Sequence, residues 1–408
     1  MKCRHCGEEI TLTLIDLGSA PPSNAYLTKL TMRRPEKWFP LKVLVCESCW
    51  LVQAESYSRA AELFNDEYAY FSSFAMVWLA HAEKYVNEIV DKFNLDSSSH
   101  VVEVASNDGY LLQYVKNKGI PCLGIEPTAS TASAARLKGI ETLEEFFGVG
   151  LAKKLADQGK QADLMVANNV LAHVPDINDF VKGFAILLKP QGVATFEFPH
   201  LMNLIEQKQF DTIYHEHFSY LSFSTVVQIF ANNGLAVFDV EELWTHGGSL
   251  RVFAQRKDTG KRLISKNVTN LLNRETTARM NTTEYYSGFQ GQAIKVKNDL
   301  LAFLLEARRQ GKKVAGYGAA AKGNTLMNFA GIRPDLIPFI VDRNPAKQGK
   351  WMPGSRIPIV DESRLRDERP DYVIILAWNL KDEVIKQLEY IKAWGGKFVT
   401  AVPQLEVL

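Results

Sequence analysis

The stretch Val101-Val102-Glu103-Val104-Ala105-Ser106-Asn107-Asp108-Gly109-Tyr110 decides the fold of this 408-residue chain. Four of its first five residues are apolar, and three of these are valines, which predicts a strand buried in a parallel sheet. A helical pattern follows, and the next apolar run, Cys122-Leu123-Gly124-Ile125, ends in a second acidic residue, Glu126. A strand, a tight turn and a second strand that ends in a carboxylate indicate a nucleoside-binding half-site. The turn lets a ligand approach the backbone, and the carboxylate accepts hydrogen bonds from ribose hydroxyls.

The composition of this turn indicates which ligand it binds. It lacks the full glycine pattern of a dinucleotide site and carries Ala105, Asn107 and Asp108. These residues suit a ligand that has no pyrophosphate at the start of the helix, and S-adenosylmethionine is such a ligand. An α/β domain whose first turn is merely polar is the alternative that the motif leaves open.

The composition narrows the classes of partner. A chain of this length is expected to hold two or three domains, and its net charge of +1 predicts no nucleic-acid partner. No apolar run reaches the length that spans a bilayer, and the N-terminal residues do not resemble a signal peptide. We therefore expect a cytoplasmic protein with no membrane partner, and the near-neutral charge leaves a monomer and a homodimer equally open.

Four of the five cysteines form two CxxC pairs, Cys3 with Cys6 and Cys46 with Cys49. In a cytoplasmic chain, two such pairs predict a four-thiolate zinc site rather than disulfides. Four protein thiolates leave no open position for a substrate, so the predicted Zn²⁺ has a structural role. Two unconnected thiol pairs are the alternative. The fifth cysteine, Cys122, lies in an apolar run and is expected to be buried.

The periodicity divides the chain into four segments. These are a metal-bound unit at 1–62, a domain of alternating strands and helices at 63–256, a linker with a long helix at 257–310, and a restarted α/β pattern at 311–408. In the second segment a helix is predicted from Met76 to Phe93. Strands are predicted there at 100–105, 121–126, 162–168, 192–198, 235–240 and 249–256. This order predicts a parallel sheet with an antiparallel finish.

The last two segments give weaker signals. A long amphipathic helix is predicted at 284–310, with its apolar side formed by Ile294, Val296, Leu300, Leu301, Phe303, Leu304 and Leu305. The glycine turn at 316–323 and the strand that ends in Asp342 predict a second Rossmann-type unit. The turn alone is a weak signal for a dinucleotide, and a scaffold domain with closely packed glycines is equally compatible with it.

Two clusters of polar residues could carry chemistry. Asn168, Asn169 and His173 follow the predicted strand at 162–168, and ligands bind beyond the C-terminal ends of such strands. The second cluster, Tyr214-His215-Glu216-His217, is the densest group of titratable residues in the chain. A metal site, a hydrogen-bonded polar loop and an acid/base site are its three interpretations. The spacing does not match the HExxH helix of metalloproteases. In an acid/base site Glu216 or Tyr214 would orient the imidazole.

In their order along the chain, these motifs resemble those of the zinc-containing nucleotide-sugar C-methyltransferases. The resemblance rests on the two cysteine pairs and on residues 103–109, 124–127, 168–174, 214–217 and 316–323. It implies an α/β protein with a class I methyltransferase domain of Rossmann-like fold that binds S-adenosylmethionine. An N-terminal zinc-binding domain and a C-terminal Rossmann-like domain flank it. The nucleotide-sugar substrate would lie between domains.

The resemblance also implies roles for individual residues. His217 matches the base that removes the proton at C-3 of a 4-keto sugar, so that the resulting enolate attacks the methyl group. Tyr214 and Glu216 match neighbouring active-site positions. His173 and Tyr68 match residues that face the sugar and could donate a hydrogen bond to its ketone oxygen, an interaction worth about 3 kcal/mol in the transition state.

The cofactor contacts follow from the same matching. Those implied for the methionine side are Glu103, Asn107, Asp108 and Gly109. Glu126 would accept the ribose hydroxyls, Asn168 would lie near the amino-acid end, and Glu145 and Phe146 are the candidates for adenine. Lys322 and Asn324 are predicted to bind the phosphates of the sugar nucleotide, because a helix start and a lysine attract anions. A solvated helix N-terminus is the alternative for these two.

Three other functions remain open on the sequence. An O- or N-methyltransferase of another small molecule would need no base strong enough to act on carbon. A nicotinamide oxidoreductase would use the C-terminal glycine turn. A non-enzymatic zinc scaffold would bind neither cofactor.

Overall fold

The computed structural model describes residues 1–55, 57, 71–74 and 76–408. Within these ranges the chain forms three β-sheets, and each sheet belongs to a different part of the sequence apart from one strand. Tyr68, one of the residues predicted to face the sugar, lies outside the described residues. No helix in the described part of the chain is both long and apolar enough to cross a membrane.

The first sheet is built mainly from the N-terminal unit. Its antiparallel strands are β1 (Leu12–Ala20), β2 (Phe39–Val45), β3 (Val52–Ala54) and β9 (Ser219–Tyr220). The first three form a meander, and β9 joins it from the middle of the chain by pairing with β3. This pairing ties the N-terminal unit to the segment that directly follows His217.

The central sheet has seven strands, in the order β10-β11-β8-β7-β4-β5-β6. Their bounds are β4 (Val101–Val104), β5 (Cys122–Ile125), β6 (Thr142–Leu143), β7 (Ala162–Asn168), β8 (Leu188–Pro199), β10 (Leu235–Leu243) and β11 (Ser249–Arg256). Five of them run parallel, whereas β11 is antiparallel to β8 and β10 to β11. The predicted parallel sheet with an antiparallel finish is confirmed. The two-residue strand β6 is too short to have left a pattern in the sequence.

Eight helices accompany this sheet in the described part of the chain. They are α1 (Met76–Phe93), α2 (Leu112–Asn117), α3 (Ala129–Leu137), α4 (Val149–Asp157), α5 (Ile177–Leu187), α6 (Leu201–Glu206), α7 (Phe223–Asn232) and α8 (Lys266–Thr277). The predicted bounds of α1 are confirmed. Asp176 begins α5 because its carboxylate accepts hydrogen bonds from two free amides of the first turn. Although α8 lies in the predicted linker, its Val268 and Leu271 are buried in the same core as the sheet.

The long helix predicted at 284–310 is divided in two. It consists of α9 (Thr283–Tyr286) and α10 (Phe289–Arg309), separated at Gly288, whose φ of 87° is left-handed. The buried residues of α10 are Phe289, Ala293, Val296, Leu300, Leu304 and Ala307. Ile294 and Leu305, predicted on the apolar side, are 37% and 45% exposed. Each lies one residue beyond the buried stripe, and one residue turns the side chain by about 100° around the helix.

The C-terminal sheet has the order β14-β13-β12-β15-β16-β17. Its strands are β12 (Val314–Tyr317), β13 (Ile340–Val341), β14 (Ile359–Val360), β15 (Tyr372–Ile375), β16 (Lys397–Thr400) and β17 (Glu406–Val407), and only β17 is antiparallel to its neighbour. Its helices are α11 (Ala321–Ala330), α12 (Ser363–Glu368) and α13 (Lys381–Gln387). The alternation of parallel strands and helices agrees with the predicted second Rossmann-type unit.

Short 3-10 helices lie at Thr31–Arg33, Ser72–Phe74, Leu171–His173, Phe210–Thr212, Thr245–Gly247, Trp378–Leu380 and Glu389–Trp394. Apolar packing joins the three parts of the molecule. One core combines the cysteine turns with the central sheet, and a second combines β1 and β2 with α10 and the C-terminal sheet. The N-terminal unit therefore packs against both other parts.

Candidate active site

The turn after β4 has an unusual backbone. Ala105, Asn107 and Gly109 have φ values of 58°, 49° and 74°, so every second residue is left-handed. Such a conformation is easy only for glycine, yet two of these three positions carry side chains. At Gly109 a Cβ would also lie 2.4 Å from Cδ1 of Ile140. Gly109 is therefore required both by its conformation and by the space around it.

The carboxylate of Glu126 is held at the end of β5 by the same turn. Its Oε2 accepts a hydrogen bond from the backbone N of Asn107, and its Oε1 accepts one from Thr128 N, both at 3.0 Å. Asp108 lies beside it, with Lys138 Nζ 3.4 Å from its Oδ2. The two carboxylates that the sequence predicts at this edge are brought together.

Glu103 adds a third acidic group from inside β4. It is fully buried, and burial raises its pKa well above the usual value, while the Tyr110 hydroxyl opposes this shift. Neither of its oxygens makes a hydrogen bond of good geometry in the described part of the chain, and the same holds for Oδ1 of Asp108 and of Asn168. Buried acceptors whose hydrogen bonds are poorly formed are costly, and a cationic ligand would satisfy them. S-adenosylmethionine carries a sulfonium and an ammonium group, so these residues fit it.

The two candidates for adenine lie on the loop that follows β6. Phe146 is 54% exposed, and Glu145 forms an ion pair with Lys154 at 3.1 Å. The strand before this loop, β6, pairs with β5, and Glu126 directly follows β5. Their contact with adenine stays a prediction.

His217 lies in a tight turn in which its backbone N donates to Tyr214 O at 2.9 Å. Its Nδ1 is 2.9 Å from the carbonyl oxygen of Thr212. Because a carbonyl can only accept, Nδ1 carries the hydrogen and Nε2 keeps its lone pair. Burial lowers the pKa of His217 well below its usual value, and the nearby His173 adds to this. The ring is therefore neutral and can accept a proton.

His173 and Tyr214 surround this imidazole. Their ring centroids lie 4.6 Å and 4.0 Å from that of His217. His173 Nδ1 donates to the backbone oxygen of Glu216 at 2.9 Å, and burial lowers the pKa of His173 to about 4. The structure thus brings together three residues that the sequence predicted at one site.

The carboxylate of Glu216 does not orient the imidazole. Both of its oxygens accept hydrogen bonds from Asn24 Nδ2, at 2.8 and 2.9 Å, and burial raises its pKa to about 7. The hypothesis that Glu216 aligns His217 is therefore wrong in this structure, where the Thr212 carbonyl and the Tyr214 ring hold it. The reason is the tight turn, which directs successive side chains to different neighbours.

The C-terminal unit contributes a buried charge next to this loop. Lys322 Nζ lies 4.3 Å from the centroid of the Trp378 ring and 2.9 Å from Asn379 Oδ1. Trp378 Nε1 donates to Asp211 Oδ2 at 2.7 Å. Burial lowers the pKa of Lys322 to about 8, although the negative charge of Asp211 acts to raise it. Lys322 is thus no freely solvated side chain at a helix start.

The other predicted phosphate contact, Asn324, is fully buried. Its Oδ1 accepts a hydrogen bond from Asn328 Nδ2 at 3.1 Å, and its own Nδ2 has no partner among the described residues. The solvated alternative is therefore wrong for Asn324. Its contact with phosphates stays a prediction.

The glycine turn of the C-terminal unit is filled by the protein's own groups. Asp342, the acid at the end of β13, accepts a hydrogen bond from Ala319 N at 2.8 Å. The carbonyl of Ala319 accepts from the Tyr26 hydroxyl at 2.7 Å and from Lys347 Nζ at 2.9 Å. In a dinucleotide site these positions face the ligand. The arrangement disfavours the nicotinamide hypothesis.

Two residues near the C-terminal edge of the central sheet, His246 and Glu197, were not predicted. His246, at the tip of the β10–β11 hairpin, has a left-handed φ of 56°, and burial lowers its pKa to about 4. Glu197, near the end of β8, accepts hydrogen bonds from His81 at 2.9 Å and from Thr245 at 3.0 Å. The position of His246 before Gly247, in a hairpin beyond a parallel strand, is the only signal that could have indicated it.

The four predicted metal ligands are brought together. The sulfur atoms of Cys3, Cys6, Cys46 and Cys49 all lie within 4.8 Å of one another. The two pairs lie in two turns of the same kind. Gly7 N donates to Cys3 O in the first turn, and Trp50 N donates to Cys46 O in the second. Four thiolates in two such turns are the donor set that Zn²⁺ prefers in structural sites.

Comparison with known proteins agrees with this arrangement. Residues 3–64 match a family described as a putative zinc binding domain, residues 78–240 a methyltransferase domain, and residues 244–403 a C-methyltransferase C-terminal domain. The C-methyltransferase NovU of Streptomyces niveus is 33% identical over 407 residues, which cover 100% of this chain and 96% of that protein.

More distant relatives match less than half of the chain. A ubiquinone biosynthesis O-methyltransferase of Chelativorans sp. (strain BNC1) is 29% identical over 94 residues, 23% of this chain and 37% of that protein. The crystal structure of magnesium protoporphyrin IX methyltransferase from Synechocystis PCC 6803 with bound SAH has 16% identity and a TM-score of 0.35, covering 45% of this chain and 88% of that one.

Fold, cofactor turn and cysteine cluster together define an S-adenosylmethionine-dependent methyltransferase with a zinc-binding domain. The match to NovU extends over the whole chain and includes the C-terminal part. This chain therefore belongs to the C-methyltransferase family.

Proposed function

We propose that this enzyme methylates a carbon atom of a nucleotide-linked 4-keto-deoxysugar, with C-3 as the favoured position. The observation that carries the proposal is the buried neutral imidazole of His217, whose Nδ1 is bonded to Thr212. Transfer to carbon requires a base, because a C–H proton must leave. The proposal keeps the cytoplasmic location and the absence of nucleic-acid partners that the sequence predicts.

S-adenosylmethionine, when bound, supplies an electrophilic methyl group. Nε2 of His217 takes the proton from C-3, and the electron pair of that C–H bond is delocalised towards the C-4 oxygen. The Nδ1 hydrogen bond to Thr212 then stabilises the positive imidazolium. The imidazole of His217 and the methyl group of the cofactor would lie on opposite sides of C-3, and the bond from the methyl group to sulfur would break as its bond to C-3 forms.

For His173 we infer a role other than the predicted donation to the ketone oxygen. Its Nδ1 hydrogen is donated to Glu216 O, so the neutral ring presents only a lone pair at Nε2. The neutral ring therefore has no hydrogen left to donate to the ketone oxygen. Tyr68 stays a predicted donor, and Lys322 and Asn324 stay proposed contacts for the anionic part of the substrate.

A substrate panel tests the proposal. The enzyme is incubated with methyl-labelled S-adenosylmethionine and with thymidine, cytidine or guanosine diphosphate 4-keto-6-deoxyhexoses. NMR should locate the label on carbon, in one nucleotide series. A label on oxygen or nitrogen would show that the O- or N-methyltransferase alternative is correct.

A second experiment separates proton removal from methyl transfer. With S-adenosylhomocysteine in place of the methyl donor and D₂O as solvent, the accepted sugar should exchange its C-3 hydrogen for deuterium. A sugar that is methylated without such exchange would contradict His217 as the base, unless the proton were returned faster than solvent enters. The His217→Asn variant is the matched control and should show no exchange.

A further inference from the structure

The loop that carries His217 is held from the N-terminal unit. The backbone N of the next residue, Phe218, donates to Ala172 O at 2.8 Å. Its carbonyl accepts two hydrogen bonds, from Ala54 N at 3.1 Å and from Arg4 Nη1 at 3.1 Å. Ala54 ends β3, and Arg4 lies between two of the zinc ligands. The peptide beside the catalytic imidazole is thus fixed on both faces.

Arg4 is bonded to the turn that holds Cys3. Its backbone N donates to Gln53 Oε1 at 3.0 Å, and Gln53 Nε2 donates to Cys3 Sγ at 3.2 Å. Gln53 is fully buried, so this connection is shielded from water. The Arg4 guanidinium also lies over the Phe218 ring, 5.4 Å from its centroid. The direction of the Arg4 side chain therefore depends on the turn that holds Cys3.

Both cysteine turns are also bonded to the methyltransferase domain. Asn178 Nδ2, on α5, donates to His5 O at 2.9 Å, and Thr225 Oγ1, on α7, donates to Cys49 O at 3.3 Å. The two turns are far apart in sequence, and a shared metal ion is what would fix one against the other. Order at the metal site can thus reach the His217 loop through short contacts.

We propose that Arg4 is a positioning residue, through which the zinc site holds the His217 loop in its active geometry. Its role does not include contact with substrate. The proposal rests on the proposed function of His217 only where turnover is measured, since the order of the loop can be followed without any acceptor.

Hydrogen exchange of the whole enzyme tests this connection. Arg4→Met removes the donor to Phe218 O while keeping the backbone bond to Gln53, and Arg4→Lys restores one donor. Arg33→Met is the matched control, because Arg33 is an exposed arginine of the same unit. Amide exchange is followed in the peptide 213–221, together with zinc per chain and the Kd for S-adenosylhomocysteine.

In Arg4→Met we expect one zinc per chain, an unchanged Kd and faster exchange in 213–221. With an accepted sugar, kcat should fall about 10- to 100-fold with little change in KM, since small misplacements of a catalytic group are costly. Arg4→Lys should recover part of both losses, and Arg33→Met should behave as the wild type. Faster exchange without methylation of any sugar would count against the proposed function while supporting this connection.

Two results would overturn the proposal. One is wild-type exchange in 213–221 of Arg4→Met, because the loop would then not depend on this contact. The other is loss of zinc from both Arg4 variants, because Arg4 would then serve the metal site itself.

Discussion

His217 carries its hydrogen on Nδ1 because the group opposite that nitrogen, the Thr212 carbonyl, can only accept. His173 also carries its hydrogen on Nδ1, because that nitrogen faces the backbone oxygen of Glu216. Burial lowers the pKa of both rings, so both stay neutral. The sequence could predict these histidines, but it could not predict their tautomers, because the carbonyls that select them are chosen by the course of the loop.

At the residue scale, His217→Asn should abolish most of the turnover. We expect kcat to fall about 100- to 10,000-fold, the usual cost of losing a general base. Binding of S-adenosylhomocysteine, measured by calorimetry, should be unchanged, because the acidic side chains proposed to bind the cofactor lie at another loop. His215→Asn is the control, since the His215 ring points to the carbonyls of Phe39 and Pro40. Near-normal turnover of His217→Asn would refute the assignment of the base.

The pH dependence should report the same group. Protonation of His217 removes the lone pair at Nε2, so kcat/KM should fall as the pH drops through its pKa. Burial lowers this pKa well below its usual value of 6.5, so the acid limb of the profile should lie below pH 6.5. If ionisation of Glu216 controlled the rate instead, the limb would lie near its pKa of about 7.

A rate profile of Glu216→Gln between pH 5 and 9 distinguishes the two groups. We expect the acid limb of this variant to stay where it is in the wild type. A limb near pH 7 that disappears in Glu216→Gln would assign the essential ionisation to the carboxyl group.

At the scale of elements, the turn after β4 is the proposed site of the cofactor. The valine-rich strand and the acid that ends β5 are local patterns, and both were predicted correctly. The left-handed residues at 105 and 107 were not foreseen, since neither is glycine. Contacts of the turn with the rest of the domain, such as the bond from Ser72 N to Asn107 Oδ1 at 2.9 Å, hold the backbone in this conformation.

Two glycine substitutions should distinguish the cost of a left-handed backbone from the cost of a steric clash at this turn. Gly109→Ala introduces a left-handed alanine, which costs about 1–2 kcal/mol, and a clash with Ile140. Gly119→Ala is the matched control, because Gly119 has a φ of 73° and nothing within 4 Å of the added Cβ. In urea unfolding, Gly109→Ala should lose about 1–3 kcal/mol more than the control, the usual cost of overpacking. Only Gly109→Ala should weaken binding of S-adenosylhomocysteine, and equal losses in both variants would contradict this reading.

Ala105→Gly changes the same turn in the opposite sense. The substitution removes the strain of an alanine in the left-handed region, which stabilises the folded state. It also gives the unfolded chain more conformational freedom, which lowers the free energy of unfolding by about 0.4–1 kcal/mol and offsets that gain. We expect the free energy of unfolding and the cofactor affinity to stay close to the wild type. A large loss of affinity would mean that the Ala105 methyl group contacts the ligand.

At the scale of the whole molecule, three sheets meet at one loop. The N-terminal sheet takes up the strand that follows His217, and Thr325 of the C-terminal helix α11 donates to Ile213 O at 2.8 Å. Loop 210–218 is therefore fixed from both sides by units that are distant in sequence.

Loss of the metal should therefore affect the whole molecule. Cys46→Ser removes one of the four thiolates, so we expect the zinc content to fall and the melting temperature to drop clearly. Cys122→Ser is the matched control, because Cys122 lies in β5 outside the sulfur cluster and should leave the zinc content unchanged. Zinc per chain and thermal unfolding are measured side by side. A Cys46→Ser protein that melts like the wild type would show that the metal does not stabilise the fold.

The sequence by itself determined six of the seven strands of the central sheet and the four metal ligands, and it predicted the acidic positions of the proposed cofactor site. Each of these is written in short-range periodicity or spacing, which the local chain geometry enforces. Only the tertiary structure decided that Asn24 binds Glu216, that Thr212 aligns His217 and that Lys322 is buried beside Trp378 and Asp211. The partners of Glu216 and Lys322 come from distant parts of the chain, and the turn directs the His217 ring to its own loop. All of them depend on how the three sheets pack, which no local pattern records.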